Sequence, residues 1–164
     1  MPATAQAMSA AQREVIVTRV FNAPRSLVFR MWTDPKHLAQ WWGPREFTNP
    51  VCELDVRPGG AIRIVMRGPK GTPYDDDFPM SGTFQEIIEP ERIVFTSVAE
   101  DKAGNALIKG VNTVTFTEAG GKTTLTVVSR ATAIAPIGVQ MINGMEAGWT
   151  QSIDRLGELV VQSR

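Results

Sequence analysis

The sequence predicts an α+β fold: a curved antiparallel sheet of seven strands wrapped around a long C-terminal helix, with two short helices after the first strand. Three observations carry this. Ile142, Met145, Trp149, Ile153, Leu156 and Val160 recur at the three-and-four spacing of one helix face. From Val51 to Ala131 the chain instead reads as short runs of β-branched and alternating apolar residues, separated by Gly, Pro and Asp turns. No second long amphipathic stretch exists, so the stripe of the last helix has only that sheet to lie on.

Taken in order, Glu14 to Phe21 is a first strand, rich in β-branched residues. Asn22-Ala23-Pro24 ends it and opens a helix with Leu27, Val28, Met31 and Trp32 on one face. Asp34-Pro35 caps a second short helix running to about Trp41, and Gly43-Pro44 stops it. Six strands follow as a meander: Val51–Val56, Ala61–Arg67, Ser81–Ile88, Arg92–Val98, Val111–Thr117 and Thr123–Ala131. A long loop, Gly68 to Pro79, separates the second and third of these. Gly120-Gly121 marks a tight hairpin. The final helix is expected as one element from Pro136 to Val161, roughly 25 residues against a usual dozen. Gln151, Asp154, Arg155, Glu158 and Gln162 line its other face, which reads as solvated. Gly138, Gly144, Gly148 and Gly157 each weaken a helix by roughly 0.5–1 kcal/mol relative to Ala. That cost points to close backbone approach, a kink, or room for something bound beside the helix.

A chain of 164 residues suits one domain, expected over 13–164 behind a disordered leader at 1–12. Seventeen basic residues balance seventeen acidic ones, with no basic stripe, so nothing points to nucleic acid. Cys52 is the one cysteine and excludes an intrachain disulfide, as suits a reducing cytoplasm. No apolar run is long enough for a membrane span, and the expected location is cytoplasmic.

Most familiar chemistries lack their residues. His37 is the one histidine, so a His/Cys zinc site has too few ligands, and no G-x-S-x-G marks a triad. Gly121-Lys122-Thr123 lacks the earlier glycine of a phosphate loop, since Phe116 stands in its place. Asp75-Asp76-Asp77 has the spacing of no calcium loop and reads as a solvated turn. What remains is an aromatic set with Trp32, Trp41, Trp42 and Trp149, and a methionine set with Met31, Met66, Met80, Met141 and Met145. Thioethers beside aromatic rings suit an adaptable apolar binding surface as well as a core. Among ionisable residues inside strands, Arg63 alternates away from Ile62 and Ile64. Glu86 shares its expected face with Phe84 and Ile88, which makes it the better pocket candidate.

Several motifs together carry a family resemblance: Trp41-Trp42-Gly43-Pro44, Asp55-Val56-Arg57-Pro58-Gly59-Gly60, Gly82-Thr83-Phe84-Gln85-Glu86-Ile87, Pro90-Glu91-Arg92-Ile93-Val94-Phe95-Thr96 and Gly148-Trp149. Over about residues 14 to 161 the chain resembles the START/SRPBCC superfamily, and within it the branch named after the activator of the heat-shock-protein-ninety ATPase homologue. The resemblance implies the helix-grip fold, with an apolar cavity between sheet and helix.

The expected function is binding of a small hydrophobic or amphipathic ligand in that cavity, without cofactor or metal. One alternative is a cyclase or hydrolase using Glu86 as a buried acid or base with Arg63 or Tyr74 beside it. Another is a co-chaperone-like module, so a chaperone partner and a homodimer stay open. Trp149 begins the bulky half of the helix stripe, so the space is expected beneath the preceding half. The candidate ligand-binding residues are Trp42, Tyr74, Phe78, Met80, Phe84, Glu86, Met141 and Met145.

Overall fold

The computed structural model describes residues 11–164. The leader expected at 1–12 falls outside the described residues except at its end, where Gln12 already opens the first strand. The elements are β1 (Gln12–Phe21), α1 (Arg25–Thr33), α2 (Pro35–Trp41), β2 (Thr48–Leu54), β3 (Ala61–Arg67), β4 (Asp77–Ile88), β5 (Arg92–Glu100), β6 (Ala106–Ala119), β7 (Lys122–Ala133), α3 (Pro136–Asn143) and α4 (Met145–Ser163). Seven strands form one antiparallel sheet in the order β1-β7-β6-β5-β4-β3-β2, and α4 lies on its inner face. This is the helix-grip arrangement.

Local chemistry accounts for the joints. The Asp34 carboxylate accepts the Lys36 N–H at 2.9 Å and Pro35 occupies the first helical position, so α2 starts there. The Trp41 Nε1–H donates to the Met31 carbonyl at 2.9 Å, tying α2 to α1 in the interior. Between β6 and β7 both turn residues, Gly120 and Gly121, take positive φ (60° and 75°), the geometry that matches strand twist and that glycine adopts without a Cβ clash.

The expected single C-terminal helix is two. Gly144 sits at φ −90°, ψ 0° and ends α3, and α4 starts at the next residue. The break accompanies a change in what the helix touches. A Cβ on Gly138 would stand 2.2 Å from the Leu107 carbonyl oxygen, so this helix lies directly on the β6 backbone. Its sheet contacts are mainly with β6 and β7, whereas α4 meets β1, α1 and α2.

The face of α4 expected to be solvated is largely in use. On one flank Glu146 pairs with Arg13 and Asp154 with Arg19, both from the edge strand β1. On the other flank α4 holds the segment after α2. Gln151 accepts the Arg45 N–H, Ser152 accepts the Gly43 N–H, and Glu158 pairs with the Arg45 guanidinium. Arg155 donates to the carbonyls of Gln40, Trp42, Gly43 and Pro44 at 2.9–3.1 Å. Those carbonyls close the C-terminal end of α2, where positive charge is favoured. Burial, and after it the nearby positive Arg45, hold the Arg155 pKa below its ordinary value, yet the guanidinium stays charged at neutral pH.

The apolar side of α4 fills one end of the sheet. Ile153, Leu156 and Val160 are fully buried against Phe21, Val114, Phe116, Leu125 and Val127, with Val28, Met31 and Trp32 of α1 completing the core. Each such side chain contributes about 1.5–3 kcal/mol on burial.

Two stability outcomes follow. Arg155→Met removes the shared donor of four carbonyls, of which Trp42 keeps Asn49 and Pro44 keeps the Phe47 N–H, and is expected to cost about 2 kcal/mol, lowering Tm by about 4–8 °C; an unchanged melting curve would sink the clasp. Gly138→Ala is expected to destabilise by more than about 1 kcal/mol despite alanine's higher helix propensity. Gly148→Ala, with open space at its Cβ, should stabilise by up to about 1 kcal/mol, and chemical denaturation of the pair distinguishes the two cases.

Candidate functional site

Three neighbouring strands show how the cavity arises. Their inner positions are aligned by register into rows across β5, β6 and β7: Ile93–Val114–Val127, then Phe95–Asn112–Ser129, then Ser97–Gly110–Ala131. Side-chain volume falls from row to row. The first row packs against α4, whereas the third has no side chain large enough to reach it. The fourth, Ala99–Ile108–Ala133, restores bulk only at Ile108.

The helix above is thinned in the same region. A Cβ on Gly148 would meet nothing within 4 Å. The result is a cavity of about 280 Å³ between sheet and helices. Its floor is the row Ser97–Gly110–Ala131, and Met66, Phe78 and Met80 form the side toward β3 and β4. Met141 of α3 with Met145 and Trp149 of α4 form the roof, and Trp42-Gly43-Pro44 closes one end. Trp149 marks the boundary with the filled core, its ring 6.3 Å from Trp32 in a stacked arrangement and 5.5 Å from Trp42 edge to face. Arg155 and Ser152 hold the backbone of the Trp42-Gly43 wall, so the wall is positioned from α4 itself.

Of the eight candidate residues, the structure brings Trp42, Phe78, Met80, Met141 and Met145 together around this cavity. Tyr74, Phe84 and Glu86 lie elsewhere. Tyr74 is 59 % exposed, in the loop before β4, with its ring 6.2 Å from that of Phe47. Phe84 faces inward but in the filled half of the sheet, 4 % exposed.

Glu86 is turned outward by a β-bulge. Phe84 pairs with Phe95 and Glu86 with Val94, so Gln85 is an extra residue and the alternation changes sign across it. Ile87 takes the inward position instead, opposite Ile93, and Glu86 meets Arg92 on the outer face at 2.6 Å. Arg63 is also on the outer face, with Ser81 and Glu100, and reaches neither Glu86 nor Tyr74 as a partner. The acid–base arrangement expected around Glu86 is therefore not assembled.

Several lining residues escape sequence reasoning altogether: Ser97, Asn112, Ser129, Gly110 and Ala131. Small and polar residues at inward positions carry no signal until register shows that they share a row. Glu100 touches the cavity at its rim, but its carboxylate is turned to Arg63 at 2.6 Å and to Ser81 on the outer face.

Other reactive groups stand apart. Burial, with the negative Glu53 beside it, pushes the Cys52 thiol up to about 11, so it is protonated and a poor nucleophile at neutral pH. Asp75 accepts the Gly71 N–H, Asp76 pairs with Lys102 and Asp77 with Arg67, which spends the acidic run on closing loops. His37 is half-buried, 3.6 Å from Asp34. Among the described residues no helix is long and apolar enough to cross a membrane.

Glu86→Gln is expected to change stability by no more than about 0.5 kcal/mol, as for other exposed ion pairs, and to leave ligand uptake unaltered. A loss of uptake in that variant, read by dye fluorescence, would put Glu86 back in the site.

Against known proteins, the model of the family described as Activator of Hsp90 ATPase homolog 1-like protein matches residues 22–161. A crystal structure of a protein from Nitrosomonas europaea is 27 % identical, with a TM-score of 0.73, covering 92 % of this chain and 96 % of that one. One from Chromobacterium violaceum is also 27 % identical, with a TM-score of 0.74 and coverages of 90 % and 96 %. The AHSA1 protein of Silicibacter pomeroyi shares the fold at 19 % identity, with a TM-score of 0.73 over 93 % of this chain and all of that one, 100 %. No functionally curated protein matches the chain in sequence.

Proposed function

The chain belongs to the activator of Hsp90 ATPase homolog 1-like family, and from that premise we propose that it binds a small hydrophobic or amphipathic molecule in the cavity between sheet and helices. The observation that carries this reading is the 280 Å³ of space over the Ser97–Gly110–Ala131 row, roofed by Met141, Met145 and Trp149. Interiors are ordinarily packed to the density of organic crystals, and an apolar void costs stability in proportion to its volume. Glycine at Gly148, where a side chain would enter open space, retains room that folding alone does not reward. Methionines in the roof suit adjustment to a guest.

The enzymatic alternative has lost its carboxylate to the outer face, where Glu100 is also turned to Arg63, and the polar side chains left in the cavity lining are hydroxyls and one amide. For a protein partner, the outer face of the sheet shows Ile16, Val20 and Val111 exposed but interrupted by Thr18, Thr126 and Arg130, a mixed surface that favours no such reading. The shared fold by itself chooses among none of these functions.

The test is saturable binding of an environment-sensitive apolar dye, such as Nile red, to the purified protein. Wild type is expected to give blue-shifted, saturable emission. Gly148→Leu places an isobutyl group in the open space and should abolish it while Tm holds or rises, because leucine is the better helix former. Met145→Trp should act similarly from the roof. Non-saturable dye emission, or uptake equal in wild type and Gly148→Leu, would remove the cavity from consideration.

A further inference from the structure

The second row of the sheet, Phe95–Asn112–Ser129, places two polar side chains at inward positions. Asn112 is 2 % exposed and Ser129 3 %, beside a row made of Ile93, Val114 and Val127. Burying an amide and a hydroxyl is costly unless every group finds a partner. Here the partners can be assigned with direction. The Phe95 carbonyl can only accept, so the Asn112 end that meets it at 3.3 Å is the amide nitrogen. That nitrogen also donates to the Ser97 Oγ at 3.1 Å. The Asn112 Oδ1 accepts the Ser129 hydroxyl at 2.6 Å. The chain therefore runs one way, from Ser129 through Asn112 to Ser97, and each bond polarises the next.

It ends on a spare donor. The Ser97 hydroxyl accepts from Asn112 and donates to no group among the described residues. It stands over the cavity floor, and glycine at Gly110 keeps that approach clear: a Cβ there would come within 2.9 Å of the Ser97 Oγ. Of the other two hydroxyls in the lining, Ser129 donates to Asn112, and Ser152 is satisfied in both directions, accepting the Gly43 N–H and donating to the Gly148 carbonyl.

We infer that the cavity takes a neutral ligand carrying a hydrogen-bond acceptor oxygen, which receives the Ser97 hydroxyl proton at the end of the Ser129–Asn112–Ser97 chain. The inference rests on the cavity reading and adds the chemical class of the guest: an apolar body with a carbonyl, ether or hydroxyl oxygen. A carboxylate-headed guest is disfavoured. The lining described here contains no cation to receive it, since Arg63 lies on the outer face, where it pairs with the Glu100 carboxylate. A carboxylate desolvated without a partner loses more than one neutral hydrogen bond returns.

Three probes of like shape separate the terms: benzophenone, diphenylmethane and diphenylacetate, each titrated by displacement of Nile red. Benzophenone is expected to bind about tenfold more tightly than diphenylmethane, the scale of one neutral hydrogen bond, and diphenylacetate more weakly than either. The carbonyl stretch of bound benzophenone should lie at lower wavenumber than in hexane. In Ser97→Ala both the preference for benzophenone and the stretch shift should be lost, with diphenylmethane affinity unchanged. The wild-type preference and stretch test the inference even without that variant. Equal binding of benzophenone and diphenylmethane, with a hexane-like stretch, would overturn the polar subsite while leaving the cavity reading intact. Failure of all three to displace the dye, or displacement undiminished in Gly148→Leu, would overturn both.

Discussion

One helix must cover one sheet face, and the rest of the structure depends on how far it does so. The inner face of seven strands is too large for α4, and the side chains between them decide where contact is made. Where β5, β6 and β7 present Ile93, Val114 and Val127, the helix answers with Ile153 and Leu156, and the interior is closed. Where they present Ser97, Gly110 and Ala131, it answers with Gly148, and a gap remains. The cavity is thus a consequence of residue size in register, not of any special backbone. The tryptophans Trp32, Trp42 and Trp149 stand at the transition, large enough to seal the filled half from the open one.

Polar contacts fix the position of the helix that apolar contacts hold down. Hydrophobic burial is non-directional and would tolerate small slides of α4 along the sheet. Arg155 opposes such a slide by gathering four carbonyls from the end of α2 and the segment after it, while Arg13 and Arg19 hold the other flank. The same clasp sets the Trp42 wall. Stability and site geometry therefore share residues in α4, whose apolar stripe builds the core and whose polar flanks shape the cavity.

Chemically the cavity is quiet. Its reactive candidates are displaced: Glu86 by a bulge, Cys52 by burial that keeps its thiol protonated, the aspartate run by loop ion pairs. What lies inward is a directed chain of neutral hydrogen bonds. That inventory supports the proposed recognition of an uncharged guest, where the fold alone chooses no function.

The sequence by itself determined the class and order of elements, because hydrophobic period and turn chemistry are local signals. The stripe from Ile142 to Val160, the Asp34-Pro35 cap and the Gly120-Gly121 hairpin each act within a few residues of themselves. It also placed five cavity residues, Trp42, Phe78, Met80, Met141 and Met145, since methionines and aromatics near thinned helix positions mark a space that bulk does not fill. Only the tertiary structure decided the rest. The bulge at Gln85 moved Glu86 to the other face, and strand parity cannot reveal an insertion without the partner strand. The break at Gly144 accompanies the seating of α3 on the Leu107 carbonyl, a contact 31 residues away in sequence from Gly138. Arg155 looked solvated because its carbonyl partners are more than a hundred residues distant. And the alignment of Ser97, Gly110 and Ala131 into one row exists only once three strands are in register, because the space they leave belongs to none of them singly.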